Sequence, residues 1–188
     1  CLIREKMNRY LKIALLILSI LPISSFSQNE IKEKIDSLLY VKNMPYICEG
    51  LTKCGDELFW NVVKLKEKGI PFLIKKLNDS IETKAGVVLF GGNRSVADIA
   101  YVAIEEIIHG IPTFELLGTE FDQEGCGYCE YWNFLRKDYQ NRLNFKLAVK
   151  NWYDKNKKDL VWISSNEFSS CDCSGKHPNK GHYEIKKK

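Results

Sequence analysis

The chain has 188 residues, with 28 Lys or Arg against 24 Asp or Glu and a formal net charge of +4. Residues 1–27 hold four of these basic residues and one of the acidic residues, so the remainder carries a net charge of only +1. That balance is too weak to favour nucleic acid or an anionic membrane as a partner. The length predicts one domain with a core of its own.

The first predicted element is a secretory signal peptide that begins at Met7. A positively charged segment is followed by an apolar run over residues 13–23, and small serines flank Phe26. This order is that of a signal peptide with a small-residue cleavage site, and the run is shorter than the roughly 20 residues that span a bilayer. We therefore expect residues 1–27 to be an upstream extension plus a signal peptide. The protein would be periplasmic or secreted, with no membrane span after cleavage.

The residues that follow are predicted to be helical. The apolar stripe of the first helix consists of Ile31, Ile35, Leu38 and Leu39. Asp56 and Ser95 are candidate N-caps of later helices, and Asp98 lies three residues after Ser95, as in a capping box. The polar segments at 48–55 and 79–94 indicate loops, although "VVLF" in the second could be a short strand.

Further along, residues 131–160 predict one long helix, and Asn144 is the position where a bend is most readily placed. "VWIS", residues 161–164, indicates a short extended piece that presses Trp162 onto the helices. His109 is expected in the last turn of the helix that follows Ser95, where a charged imidazole would favour the helix dipole.

A repeated pattern lies in the middle of the chain. Gly-Ile-Pro occurs at residues 69–71 and again at 110–112, which are 41 residues apart. "SVADIAYVAIEEI", residues 95–107, resembles the first helix of a HEAT repeat, and "IPFLIKKLND", residues 70–79, resembles the second. The resemblance covers residues 56–118, and its period of about 40 residues is that of two-helix HEAT units.

The resemblance implies an all-α fold, a short HEAT-like stack of antiparallel helix pairs over residues 28–165. Residues 166–188 would then be an irregular tail, rich in Cys, His and Lys, that packs on this domain. The implied function is that of a binding or scaffold module, which takes a protein, a peptide or a glycan in a groove. No catalytic residue follows from this interpretation, so an enzyme is the less favoured class.

The cysteines predict disulfide bonds. Six remain after signal cleavage, and an even count in an exported chain favours disulfides. The candidates are Cys48, Cys54, Cys126, Cys129, Cys171 and Cys173. Cys171 and Cys173 are too close to pair with each other without strain. We therefore expect the tail to fold back against the loop at 48–54, the loop at 126–129, or both.

Two other functions remain open from the same residues. "CGYC", Cys126 to Cys129, resembles the active-site sequence of thioredoxin-fold disulfide isomerases and implies a thiol–disulfide oxidoreductase that uses these two cysteines. A structural zinc ion is the second alternative and the one cofactor that the sequence suggests. Its candidate ligands are Cys126, Cys129, Cys171, Cys173, His177 and His182.

Overall fold

The structure is a computed structural model that describes the chain in five stretches. These are residues 23–48, 51–87, 91–118, 127–165 and 178–186. For residues 23–27, 46–48, 51–53 and 127–130 the backbone alone is described. Within the five stretches, no helix is both long enough and apolar enough to cross a membrane.

The helices begin largely where capping residues predict. They are α1 (Ile23–Asp36), α2 (Glu57–Val63), α3 (Ile70–Lys76), α4 (Val96–Ile107), α5 (Thr113–Leu117), α6 (Gly127–Lys137) and α7 (Tyr139–Asn156), with 3-10 helices at Ser37–Tyr40 and Lys66–Lys68. The Asp56 side chain accepts a hydrogen bond from the Phe59 amide at the start of α2. Ser95 and Asp98 form the reciprocal bonds of a capping box. Both caps are confirmed because each side chain satisfies an amide that the helix leaves unpaired.

The prediction of an all-α fold is wrong. Three antiparallel strand pairs lie among the described residues: β1 (Pro45–Cys48) with β2 (Leu51–Cys54), β3 (Glu82–Gly86) with β4 (Asn93–Ser95), and β5 (Leu160–Ser164) with β6 (Gly181–Ile185). The fold is therefore mixed, with helices and two-stranded sheets. Strands of three to five residues are too short for alternation to stand out. The segments predicted as loops at 48–55 and 79–94, and the tail predicted to be irregular, hold all or most of four of these strands, β2, β3, β4 and β6.

Helix α4 is the centre of the core. Nine of its 12 residues are buried, including Tyr101 and Ile104. Helices α2 and α3 and the 3-10 helix Ser37–Tyr40 pack against it, and β6 contacts it as well. A helix that is apolar on most faces has to be covered on most faces. The chain supplies that cover from elements on both sides of α4 in the sequence.

The long helix predicted over residues 131–160 is two helices. The side chain of Asp138 accepts a hydrogen bond from the Gln140 amide at 2.8 Å and caps the start of α7. Asn141 donates from Nδ2 to the carbonyl oxygen of Phe134 at 2.8 Å, across the break. The chain therefore turns at Asp138, and the bend expected at Asn144 lies inside the continuous helix α7.

Asp98 joins α4 to both of these helices. Its carboxylate is fully buried and accepts hydrogen bonds from Arg136 Nη2 at 2.8 Å and from Arg142 Nη1 at 3.1 Å. The Ser95 amide donates to the same carboxylate at 2.8 Å. Burial favours the neutral acid, but the two guanidinium groups and the amide outweigh it and hold the pKa of Asp98 below its ordinary value.

The hairpin of β5 and β6 is fastened to the end of α4. Ile108 forms a parallel bridge with Tyr183, and the His109 amide donates to the Tyr183 carbonyl oxygen at 2.9 Å. Burial, together with the hydrogen bond from the Tyr183 hydroxyl to Glu67, raises the pKa of Tyr183 to about 12. The extended piece predicted at 161–164 is confirmed as β5, where Lys66 Nζ lies 3.6 Å from the ring centroid of Trp162.

Candidate binding cleft and the placement of the predicted site residues

An open cleft of about 420 Å³ lies between the end of α1 and the end of α3. It is lined by Glu33, Asp36, Ser37, Leu39, Tyr40, Lys76, Asp79, Ile81 and Val96. Three parts of the chain therefore meet there: α1 with its 3-10 extension, the turn after α3, and the start of α4.

Lys76 lies between two carboxylates in this cleft. Its Nζ is 3.0 Å from Asp36 Oδ1 and 3.3 Å from Asp79 Oδ2. Partial burial would lower the pKa of Lys76, but the two carboxylates outweigh burial and raise it. Lys76 therefore stays charged at neutral pH and links α1 to the turn after α3.

Asp79 is held in place by the backbone around it. Its amide donates to the Lys76 carbonyl oxygen at 2.8 Å, and its own carbonyl oxygen accepts from the Ala97 amide at 2.9 Å. Its side chain accepts a further bond from the Ile81 amide at 3.3 Å. These bonds fix one acidic wall of the cleft to the first turn of α4.

The cleft combines negative charge with exposed apolar surface. Among the described lining residues, Glu33, Asp36 and Asp79 supply three carboxylates against the ammonium of Lys76, which leaves two negative charges in excess. Tyr40 is 66% exposed and Ile81 is 58% exposed, although both are large hydrophobic residues. A surface with both properties can bind a ligand that carries a positive charge beside an apolar group.

The sequence did not indicate this cleft. Of the four residues in the predicted apolar stripe, Ile31, Ile35 and Leu38 are buried and Leu39 is half-buried, and the last two lie in the 3-10 helix that follows α1. Tyr40 comes two residues after Leu38 and projects away from that stripe. Its position is the feature of the sequence that could have indicated exposed apolar surface here. Charged residues on a helix are ordinarily solvated, so Asp36 and Lys76 gave no reason to expect a site.

The structure describes few of the predicted cysteine sites. Cys54 is disulfide-bonded, but its partner is not among the described side chains. The backbone alone is described for Cys48 and Cys129, whereas Cys126, Cys171, Cys173 and His177 lie outside the described residues. The connectivity of the six cysteines therefore stays a prediction. The contact of Cys171 and Cys173 with the loops at 48–54 and 126–129 also stays a prediction.

The register of the β1–β2 hairpin restricts the pairing of Cys54. Cys54 lies opposite Pro45, whereas Cys48 lies opposite Leu51. Three strand positions separate the two cysteines, which is about 10 Å along the hairpin. A disulfide needs Cα atoms within about 7 Å. This register therefore places Cys48 beyond disulfide reach of Cys54, which predicts a partner in another segment.

The two thiol-based alternatives stay predictions. Helix α6 begins at Gly127, so the backbone of Cys129 lies in its first turn, whereas the sequence predicted a helix that begins only at residue 131. All three described strand pairs are antiparallel, so these residues do not include the βαβ unit that usually surrounds such a motif. No observation in the described stretches favours a thiol–disulfide reaction.

His182 lies beside two residues that the predicted zinc set did not include. Its ring stacks on that of His109, with centroids 3.6 Å apart and planes at 14°, and its Nε2 is 2.8 Å from Glu184 Oε1. The placement expected for His109 is wrong, because α4 ends at Ile107 and the chain has left the helix at His109. The missed signal was His-x-Glu in a strand, a spacing that puts both side chains on one face.

No family model, curated protein or solved structure matches this chain. The resemblance of residues 56–118 to HEAT repeats therefore stays a prediction about the family. The functional conclusion depends on the geometry of the described residues.

Proposed function

We propose that this chain is an exported binding module that holds a cationic, partly apolar peptide segment in the cleft between α1 and α3. One observation carries the proposal: two exposed apolar side chains, Tyr40 and Ile81, border a surface with carboxylates in excess. A Lys or Arg side chain next to an apolar residue would complement both features.

The two features contribute differently to binding. Burying one large apolar side chain is worth about 1.5–3 kcal/mol, so Tyr40 and Ile81 would supply most of the affinity. An exposed ion pair with Asp36 or Glu33 is worth about 0.2–1 kcal/mol. The carboxylates would therefore select the sign of the ligand's charge and speed its association, with a smaller share of the binding free energy.

The residues of the cleft favour binding over catalysis. The Ser37 hydroxyl donates to the Lys34 carbonyl oxygen at 2.7 Å, so its hydrogen is already engaged within the helix. The lining residues that the structure describes include neither cysteine nor histidine. Among the described residues of the cleft, the Ser37 hydroxyl is not hydrogen-bonded to a carboxylate, as a nucleophile activated by a general base would be.

Fluorescence anisotropy with two labelled peptides tests the proposal. One peptide alternates Lys with Leu, and the other has Glu in place of each Lys. We expect the Lys peptide to bind and the Glu peptide not to bind. Tyr40→Ala should weaken binding roughly tenfold or more, and Asp36→Asn roughly two- to fivefold.

The matched control is Asp154→Asn on α7, which removes an equally charged exposed carboxylate away from the cleft. It should leave the affinity of the Lys peptide unchanged. Equal binding of both peptides, or wild-type affinity in Tyr40→Ala and Asp36→Asn, would show that the cleft is not the binding site.

A further inference from the structure

We propose that His109, His182 and Glu184 form a binding site for a divalent transition-metal ion of the Zn²⁺ class. One ligand atom from each of the three residues lies within 4.8 Å of the other two. The site is distinct from the cleft, and it differs from the cysteine-based zinc set by two of its three residues. Imidazole nitrogens with a carboxylate oxygen are a ligand set that zinc uses in proteins.

The fold, and not local sequence, assembles this cluster. His109 follows the end of α4, whereas His182 and Glu184 alternate along β6 and so share one face of the strand. The His109 amide donates to the carbonyl oxygen of Tyr183, the residue between these two ligands, at 2.9 Å. That bond fixes the backbone of both ligand-bearing segments before any ion binds.

The side chains can close on an ion without backbone movement. With bonds of about 2.0–2.2 Å, a tetrahedral zinc ion would have its ligand atoms roughly 3.4 Å apart. Nε2 of His182 and Oε1 of Glu184 now lie at a hydrogen-bond distance of 2.8 Å, so these two atoms would move slightly apart as an ion takes the place of the shared proton. His109 is exposed and the Glu184 side chain is 47% exposed, so both side chains can rotate without a change in the hydrophobic core.

The chemistry of the ligand atoms indicates which kind of ion would bind. Two of the three ligand atoms are imidazole nitrogens, which suit zinc, copper, nickel and iron, whereas calcium and magnesium prefer oxygen ligands. Three protein ligands leave a further coordination position, which would face solvent and hold water. The bound ion would join β6 to the end of α4 and stabilise the docking of the hairpin.

Isothermal titration calorimetry of the full chain with ZnCl₂ tests the site. We expect one ion per chain. His109→Ala, His182→Ala and Glu184→Gln should each weaken the affinity by at least the roughly 10- to 100-fold that changes outside the first coordination sphere cost. The thermal unfolding of each variant is first measured without metal. A variant that unfolds at the wild-type temperature is folded, so its loss of affinity reports on the metal site.

The third histidine of the chain supplies a matched control. His177→Ala should bind zinc as the wild type does, because His177 belongs to the cysteine-based set and not to this one. Co²⁺ distinguishes the two sets again: ligation by thiolates gives an intense sulfur-to-metal charge-transfer band, and ligation by imidazole and carboxylate does not. We expect no such band.

Three results would overturn the proposal. They are the absence of zinc binding, wild-type affinity in both His109→Ala and Glu184→Gln, and a thiolate charge-transfer band that His177→Ala or alkylation of the cysteines abolishes. None of these results bears on peptide binding in the cleft.

Discussion

Arg142 donates from Nη1 to Oδ1 of Asp98 at 3.1 Å, and both side chains are buried. The pair joins α7 to the first turn of α4, and Arg136 at the end of α6 binds the other carboxylate oxygen. Two buried charges that neutralise each other add little over apolar residues of the same volume, but one left alone is costly. This pair therefore makes the packing of α6 and α7 depend on a single carboxylate.

Replacing Asp98 with Asn should destabilise the protein strongly. The change leaves Arg142 buried without a counter-charge, and loss of one partner from a buried pair costs about 3–5 kcal/mol. Urea unfolding followed by far-ultraviolet circular dichroism measures the change in the free energy of unfolding. The control is Asp154→Asn, an exposed carboxylate that also binds two basic side chains. If both variants unfold at the same urea concentration, the Asp98 pair does not hold the helices together.

The free energy of unfolding should fall in acid because the carboxylate of Asp98 becomes protonated. The pKa of Asp98 lies below its ordinary value of 3.8 in the folded chain, because Arg136 and Arg142 outweigh the effect of burial. The unfolded chain therefore binds the proton more readily. The contribution of Asp98 to the free energy of unfolding is complete while the pH stays well above 3.8. It is lost as the pH falls through the pKa that Asp98 has in the folded chain.

Unfolding free energies measured from pH 6 to pH 2 check this dependence. Asp154, whose pKa the hydrogen bonds from Lys150 and Lys157 lower to about 2, titrates in the same acid range. The comparison that isolates Asp98 is therefore the wild type against Asp98→Asn, which should show a shallower acid decline. Parallel pH curves for the two proteins would contradict the assignment.

Gly181→Ala should disturb the hairpin that carries His182 and Glu184. The backbone of Gly181 has φ = +144°, and an added Cβ would lie against the carbonyl oxygen of Ile163 and the ring of Trp162. A residue with a Cβ is strained in that conformation by about 1–3 kcal/mol before any clash. Gly110→Ala is the matched control, since φ is +78° there and nothing lies within 4 Å of the added Cβ.

Tryptophan fluorescence and urea unfolding compare the two glycine variants. We expect Gly181→Ala to lose more stability than Gly110→Ala, with a changed emission from Trp162. Equal losses would mean that close packing at Gly181 plays no part in holding the hairpin together.

Disulfide mapping should link Cys54 to a segment outside its own hairpin. The β1–β2 register keeps Cys48 about 10 Å from Cys54. Non-reducing digestion followed by mass spectrometry identifies the cross-linked peptide. We expect a peptide that contains Cys126, Cys129, Cys171 or Cys173, and a Cys48–Cys54 bridge would show that the hairpin register differs in solution.

Local signals in the sequence predicted local structure well. The caps at Asp56 and Ser95 and the apolar stripe of the first helix each depend on residues within about two helical turns. Both caps were found, and three of the four stripe residues are buried. The break at Asp138 was missed because the apolar spacing of four residues continues across it. The bond from the Gln140 amide to the Asp138 side chain and the bond from Asn141 to Phe134 end one helix and start the next.

Non-local pairings could not be predicted from the same patterns. His182 was considered as a metal ligand, but His109 became its neighbour only because β6 pairs with the segment after α4. The same holds for Asp98, which meets Arg136 and Arg142 across about 40 residues of sequence. The cleft depends likewise on three separate segments, and no single stretch of sequence contains its charge and its apolar surface together.

A peptide titration followed by ¹H–¹⁵N correlation spectra is the most direct test of peptide binding in the cleft. The labelled protein is titrated with the Lys–Leu peptide, and amide shifts are followed residue by residue. The proposal predicts that the largest saturable shifts fall in residues 33–40 and 76–81, and that Tyr40→Ala removes them. Shifts centred on α7 or on the β5–β6 hairpin, or no saturable shifts, would contradict it.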